Sequence, residues 1–179
     1  QIVKLTTDQF ASIATGRFEA LTTTQLQAMQ AADVAALTTD QVVALSTDQV
    51  RVLTASQISA LTTAQFQAME TRDLVLLNTA QIQAIQAADL AVLSTTQIEA
   101  LATQQVQALT ASQIIALTTA QVAALETRDV AVLTTEQIVS LQVSDLAAMT
   151  TAQIVALTTE QVQALAAIGR LEDADTALA

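Results

Sequence analysis

The sequence predicts an all-α fold: a solenoid, or superhelix, of short helices built from eight-residue repeats. Three observations point to it. From Leu5 to Glu172 the chain divides into 21 octads without one insertion, with the consensus L-T-T-x-Q-[IV]-x-A. Most octads carry a helix-start signal. The chain has two glycines and no proline, so a β-solenoid, which Thr, Val and Ile would otherwise suit, lacks the residues for its turns.

An octad does not fit one long helix. Eight residues of α-helix turn about 800°, roughly 80° past two full turns. The apolar octad-first residues Leu5, Ile13, Leu21 and Met29 would then spiral around the rod and form no stripe. A seven- or eleven-residue period can be absorbed by gentle supercoiling, but eight cannot. A helix restarted once per octad resolves the mismatch. The first Thr of T-T-x-Q serves as N-cap, accepting from the N3 amide, while the N3 Gln reaches back to the cap's own N–H; this is a capping box. The Leu before the Thr and the Ile or Val after the Gln occupy the two positions of a hydrophobic staple. Thr158 with Gln161, and Leu157 with Val162, are one instance. Helices this short are unstable alone, so neighbours must bury their Leu, Ile and Ala faces.

A longer period overlies the octad. MQAADVAA at 29, IQAADLAV at 85 and LQVSDLAA at 141 lie 56 residues apart, as do METRDLVL at 69 and LETRDVAV at 125. The array, residues 1–172, thus contains three copies of a seven-octad unit, 5–60, 61–116 and 117–172, followed by a tail at 173–179. The opening QIVK matches the second half of an octad, so the chain is expected to start in mid-repeat and to lack an N-terminal cap. In each copy the second and fourth octads depart from consensus, and they usually carry Asp where the others carry Gln: Asp33, Asp73, Asp89, Asp129 and Asp145. These octads mostly lack a capping Thr. The preceding helix is therefore expected to run through them, giving longer segments such as 63–75. Seven being odd, helix pairs cannot tile the period; about 3.5 octads per superhelical turn, two turns per period, is one arrangement that can.

Composition narrows the function. Seventeen Asp and Glu against six Lys and Arg give a net charge of -11, a surface that repels nucleic acid and anionic membranes. No apolar run approaches the roughly 20 residues of a membrane span. There is no His or Cys, which removes the usual triads, thiolate nucleophiles and zinc sets. Paired carboxylates could still serve acid–base chemistry, but the acids recur with the repeat and are expected on a solvated surface. Glu70, Arg72 and Asp73 recur as Glu126, Arg128 and Asp129; an ion pair between adjacent repeats, or acids serving helix-start polarity, accounts for them. A calcium-binding Asp ladder would carry a glycine-rich nonapeptide, which is absent. Rows of paired Thr could order water as in ice binding, but capping accounts for the first of each pair. No catalytic, cofactor-binding or metal-ligating residue is assigned, and no enzyme activity is expected.

LTTEQIVSL, from Leu133, resembles the opening of the repeat in transcription-activator-like effectors, but the period near 34, the base-reading loop and the basic charge of that family are missing. The whole array resembles the LTTxQ-type octapeptide arrays of very large exported, adhesin-like surface proteins of proteobacteria. That resemblance implies an extracellular or cell-surface structural role without catalytic residues. The expected function is a structural repeat protein that self-associates head to tail into a fibre or sheath, or that acts as a stalk. The alternative is a solenoid binding module for a protein or glycan, reading its partner with the variable fourth and seventh octad positions.

Overall fold

The computed structural model describes residues 6–170, and all the regular structure among them is helical. The opening half-octad QIVK and the tail 173–179 lie outside the described residues. Two compact units divide between Leu93 and Ser94. Unit 1 contains α1 (Thr7–Ala11), α2 (Thr15–Phe18), α3 (Thr23–Gln27), α4 (Ala31–Ala35), α5 (Thr39–Val43), α6 (Thr47–Arg51), α7 (Ala55–Ala60), α8 (Thr63–Ala68), α9 (Thr71–Leu74), α10 (Thr79–Ala84) and α11 (Ala87–Ala91). Unit 2 contains α12 (Thr95–Glu99), α13 (Thr103–Ala108), α14 (Ala111–Ala116), α15 (Thr119–Ala124), α16 (Thr127–Val132), α17 (Thr135–Ser140), α18 (Val143–Ala148), α19 (Thr151–Ala156) and α20 (Thr159–Ala167).

Every octad from that of Leu5 to that of Leu157 starts its own helix, and in most of them the cap makes the restart. At α7, Thr54 is extended (φ -74°, ψ 158°), its hydroxyl accepts from Gln57 N–H at 3.2 Å, and Gln57 Oε1 accepts from Thr54 N–H at 2.9 Å. Ser46, Ser94 and Asn78 replace Thr with the same two bonds. Where Ala102 holds the cap position only half remains: its N–H donates to Gln105 Oε1 at 2.8 Å. A cap of this kind stabilises by about 1 kcal/mol.

The expected run-through at the Asp octads does not occur. α8 ends at Ala68, Met69 and Glu70 are extended, and α9 begins at Thr71. The restart survives without Thr because half of the box is enough at some of these sites: Asp33 and Asp145, at N3, accept from Gln30 N–H (3.1 Å) and Gln142 N–H (3.0 Å). The one helix that passes an octad boundary is α20, where the octad from Leu165 has Ala166 and Ala167 in place of the Thr pair. It is closed by Gly169, whose φ of 74° makes a left-handed cap.

Helices pack three octads apart. In unit 1, α4 lies against α1 and α7, and α8 against α5 and α11; in unit 2, α16 lies against α13 and α19, and α17 against α14 and α20. The core is two rows of aliphatic residues. The octad-sixth positions are buried from Phe10 to Leu146, and the octad-first positions from Met29 to Met149. Burying one such side chain contributes about 1.5–3 kcal/mol, which offsets the ordering of helices too short to hold alone.

Candidate functional site

The seam between successive turns is the repeating chemical feature of the chain. Its key residue is the octad-fifth Gln. Gln57 is buried with 2% of its surface exposed. Its Oε1 closes the capping box, and its Nε2 donates both hydrogens to the preceding turn, to Leu26 O at 2.8 Å and Met29 O at 2.9 Å. Those carbonyls lie at the end of α3, where the i+4 ladder stops; Leu26 O also accepts from Met29 N–H at 3.1 Å. One amide therefore caps two helices, its own at the N-terminus and another at the C-terminus, and every hydrogen-bonding group is satisfied in a dry interface.

The same joint recurs in both units. Gln49 reaches Phe18 O (2.9 Å) and Leu21 O (2.7 Å), and Gln65 reaches Val34 O (3.0 Å) and Leu37 O (2.7 Å). In unit 2, Gln153 reaches Val122 O (2.9 Å) and Leu125 O (2.8 Å), and Gln161 reaches Val130 O (2.9 Å) and Leu133 O (2.7 Å). The separations are 31 and 28 residues at each joint. Twenty-eight residues are 3.5 octads, so within each unit a 56-residue period spans two turns. Sequence reasoning assigned the Gln to its own cap and missed this second role. A signal was available: a capping box accepts Glu as readily as Gln, yet Glu never stands at the fifth position. A cross-turn donor is what Glu cannot supply.

The Asp octads depart from the expected solvated surface. Asp33, Asp73, Asp89, Asp129 and Asp145 are all buried, Asp129 completely. They occupy the Gln position, and the helix register carries them inward with it. Asp73 Oδ1, Asp89 Oδ2 and Asp129 Oδ2 are buried without a hydrogen-bond partner. Burial pushes the carboxyls of Asp89 and Asp145 above the usual aspartate range; at Asp145 the Gln142 N–H opposes it. At Asp73 burial outweighs the lowering effect of the Arg72 guanidinium, and Glu70 adds to the rise. The ion pair expected between adjacent repeats is instead local: Arg72 Nε lies 2.7 Å from Glu70 and 3.6 Å from Asp73, and Arg128 repeats this with Glu126 and Asp129. Consecutive residues on one short helix start meet more readily than side chains a repeat away.

Two Asp octads compensate from the cap position. Gln86 Nε2 donates to Ser59 O at 2.7 Å, and Gln142 Nε2 to Ile115 O at 3.2 Å, both in exposed settings. Asp129 is held differently, accepting from the Thr103 hydroxyl at 2.7 Å. Among the described residues no three acidic side chains gather where a metal could bind, and no helix is long and apolar enough to cross a membrane.

The ALTTAQ repeat profile matches residues 10–47, 42–71, 66–98, 82–119, 114–143 and 138–167. No curated protein matches the sequence. The overlapping matches run along most of the chain and coincide with the octads whose caps and seams are described above, and the chain belongs to the ALTTAQ repeat family.

Proposed function

We propose that this chain is a structural, non-catalytic repeat protein of the cell surface or extracellular space, assembling into a fibre or sheath or serving as a stalk. The observation that carries the proposal is the seam, a joint of the same chemistry repeated from turn to turn within each unit. Gln9 and Gln25 occupy the joint position but are exposed. At the other face Ile154 is 46% and Val162 39% exposed, whereas the same octad position is buried from Phe10 to Leu146. Exposed amides at Gln9 and Gln25 and exposed apolar side chains at Ile154 and Val162 are surfaces that a second copy stacked end to end would cover. Head-to-tail contacts of this kind give open filaments when they do not close.

The binding-module alternative has less support. Phe10, Phe18 and Phe66 are fully buried, and the chain has no Trp or Tyr, so the described surface lacks the aromatic side chains in which binding surfaces are enriched.

The test is negative-stain electron microscopy with sedimentation at micromolar concentration. Uniform filaments are expected, and Ile154→Asp with Val162→Asp should shorten or abolish them while helicity by circular dichroism persists. A monodisperse particle at every concentration would overturn the self-assembly reading.

A further inference from the structure

We propose that Asp73 and Asp89 are proton-binding joints: each carboxyl stands where the consensus places a donor amide, keeps one buried oxygen without a partner, and on binding one proton gains an O–H to donate into the seam. The inference stands apart from the assembly proposal, since it concerns turns within a single unit.

The geometry follows from the register. A consensus Gln at position i donates to the carbonyls at i−31 and i−28. For Asp73 these are Val42 and Leu45, at the end of α5; for Asp89 they are Ile58 and Leu61, at the end of α7. All four residues are buried, and no side-chain amide donates to any of their carbonyls. The carboxyl set against each pair keeps one buried oxygen without a partner, Oδ1 in Asp73 and Oδ2 in Asp89. An ionised carboxylate only accepts, whereas a protonated one has an O–H to give. Val42 O and Ile58 O each accept one backbone N–H, from Leu45 and Leu61, but the unprotonated seam leaves a buried carboxyl oxygen without a partner, which is costly. The protonated carboxyl reproduces the acceptor-plus-donor pattern of the Gln amide.

The neighbouring charges do not supply the proton's part. Asp89, on α11, packs against α8, which carries no ionisable side chain. Asp73, on α9, packs against α6, which carries Asp48 and Arg51, both exposed; on its own segment it has Arg72 and Glu70. Burial raises the proton affinity of both carboxyls. A folded value above the ordinary 3.8 makes stability greatest below that value, declining as pH rises through the raised one. The seams in unit 1 thus tighten on mild acidification.

The test uses the intact chain. Carboxyl carbon NMR should show Asp73 and Asp89 titrating above the ordinary aspartate value of 3.8. The double variant Asp73→Asn with Asp89→Asn carries the donor permanently. At pH 7.5 its Tm should rise by roughly 2–4 °C per joint, and its Tm should change less between pH 7.5 and 5 than that of the wild type. Asp40→Asn with Asp48→Asn removes the same charge from the surface and controls for relief of general repulsion. Titration of Asp73 and Asp89 at or below that ordinary value would overturn the proposal. So would an Asn double variant that matches the surface control or melts below the wild type. The NMR titration decides the matter even if a variant fails to fold.

Discussion

Two consecutive octads of unit 2, 141–148 and 149–156, use one backbone design with opposite polar economies. In the second, Gln153 accepts from Thr150 N–H at 2.8 Å and donates to Val122 O and Leu125 O. In the first, Asp145 accepts from Gln142 N–H at 3.0 Å and donates nothing, and the cross-turn bond comes from Gln142 at the rim, 3.2 Å from Ile115 O. Both start a six-residue helix and both bury the fifth residue to 1% exposure. Helix initiation therefore needs only an acceptor at N3. Joining one turn to the next through the dry part of the seam needs a donor as well. The comparison separates two functions that the consensus Gln combines.

The sharpest way to break that contrast is to turn a Gln octad into an acidic one at constant size. Gln57→Glu keeps the cap acceptor and replaces the donor with a buried charge facing Leu26 O and Met29 O. A loss of about 3 kcal/mol is expected at pH 7, smaller at low pH, measured by denaturant unfolding; a loss under half of that would show that the cross-turn bonds contribute little. Gln57→Ala removes cap and donor together without adding charge, and should cost about 2 kcal/mol. The order of the two variants matters more than either value, since Ala being worse than Glu would place the role of Gln57 in its own cap.

In the reverse direction, Asp145→Asn supplies the missing donor. It should stabilise by about 1 kcal/mol at pH 7. The sign of the pH dependence follows from burial, which holds the Asp145 carboxyl above 3.8 against the opposing Gln142 N–H. The wild-type contribution is greatest below that value and is lost as pH rises through the folded one. The gain from Asn should therefore fade on acidification, and urea midpoints across pH 4–8 would read it. Last, Gln142→Ala removes the exposed bond to Ile115 O and should cost about 0.5 kcal/mol; a cost as large as that of Gln57→Ala would erase the distinction between rim and dry seam.

Much of this architecture was legible beforehand for local reasons. The capping box at Thr158 and Gln161, read from a three-residue spacing, is present with both bonds, at 2.8 and 3.3 Å. The octad-first and octad-sixth aliphatics form the core because a short helix can hide only one face. The misreadings all fell on the octads that depart from consensus. The absence of Thr at Glu70 suggested a helix running through 63–75, but Met69 and Glu70 break it. Acids at the fifth position suggested solvent, but the register that buries Gln65 and Gln81 also buries Asp73. The pairing of Arg72 with Glu70 and Asp73 inside its own octad was not legible from repetition, which suggests contacts between copies as readily as within them.

By itself, the sequence determined where the Thr-capped helices start, which two positions per octad turn inward, and the eight- and 56-residue periods. These follow from capping chemistry and side-chain hydrophobicity, which act within a few residues. The tertiary structure decided which helix lies on which, that Nε2 of a Gln reaches carbonyls 28 and 31 residues earlier, and that five aspartates are carried into the seam. Those outcomes depend on how far the chain turns per octad, a sum of small backbone rotations over about 28 residues that no single octad encodes.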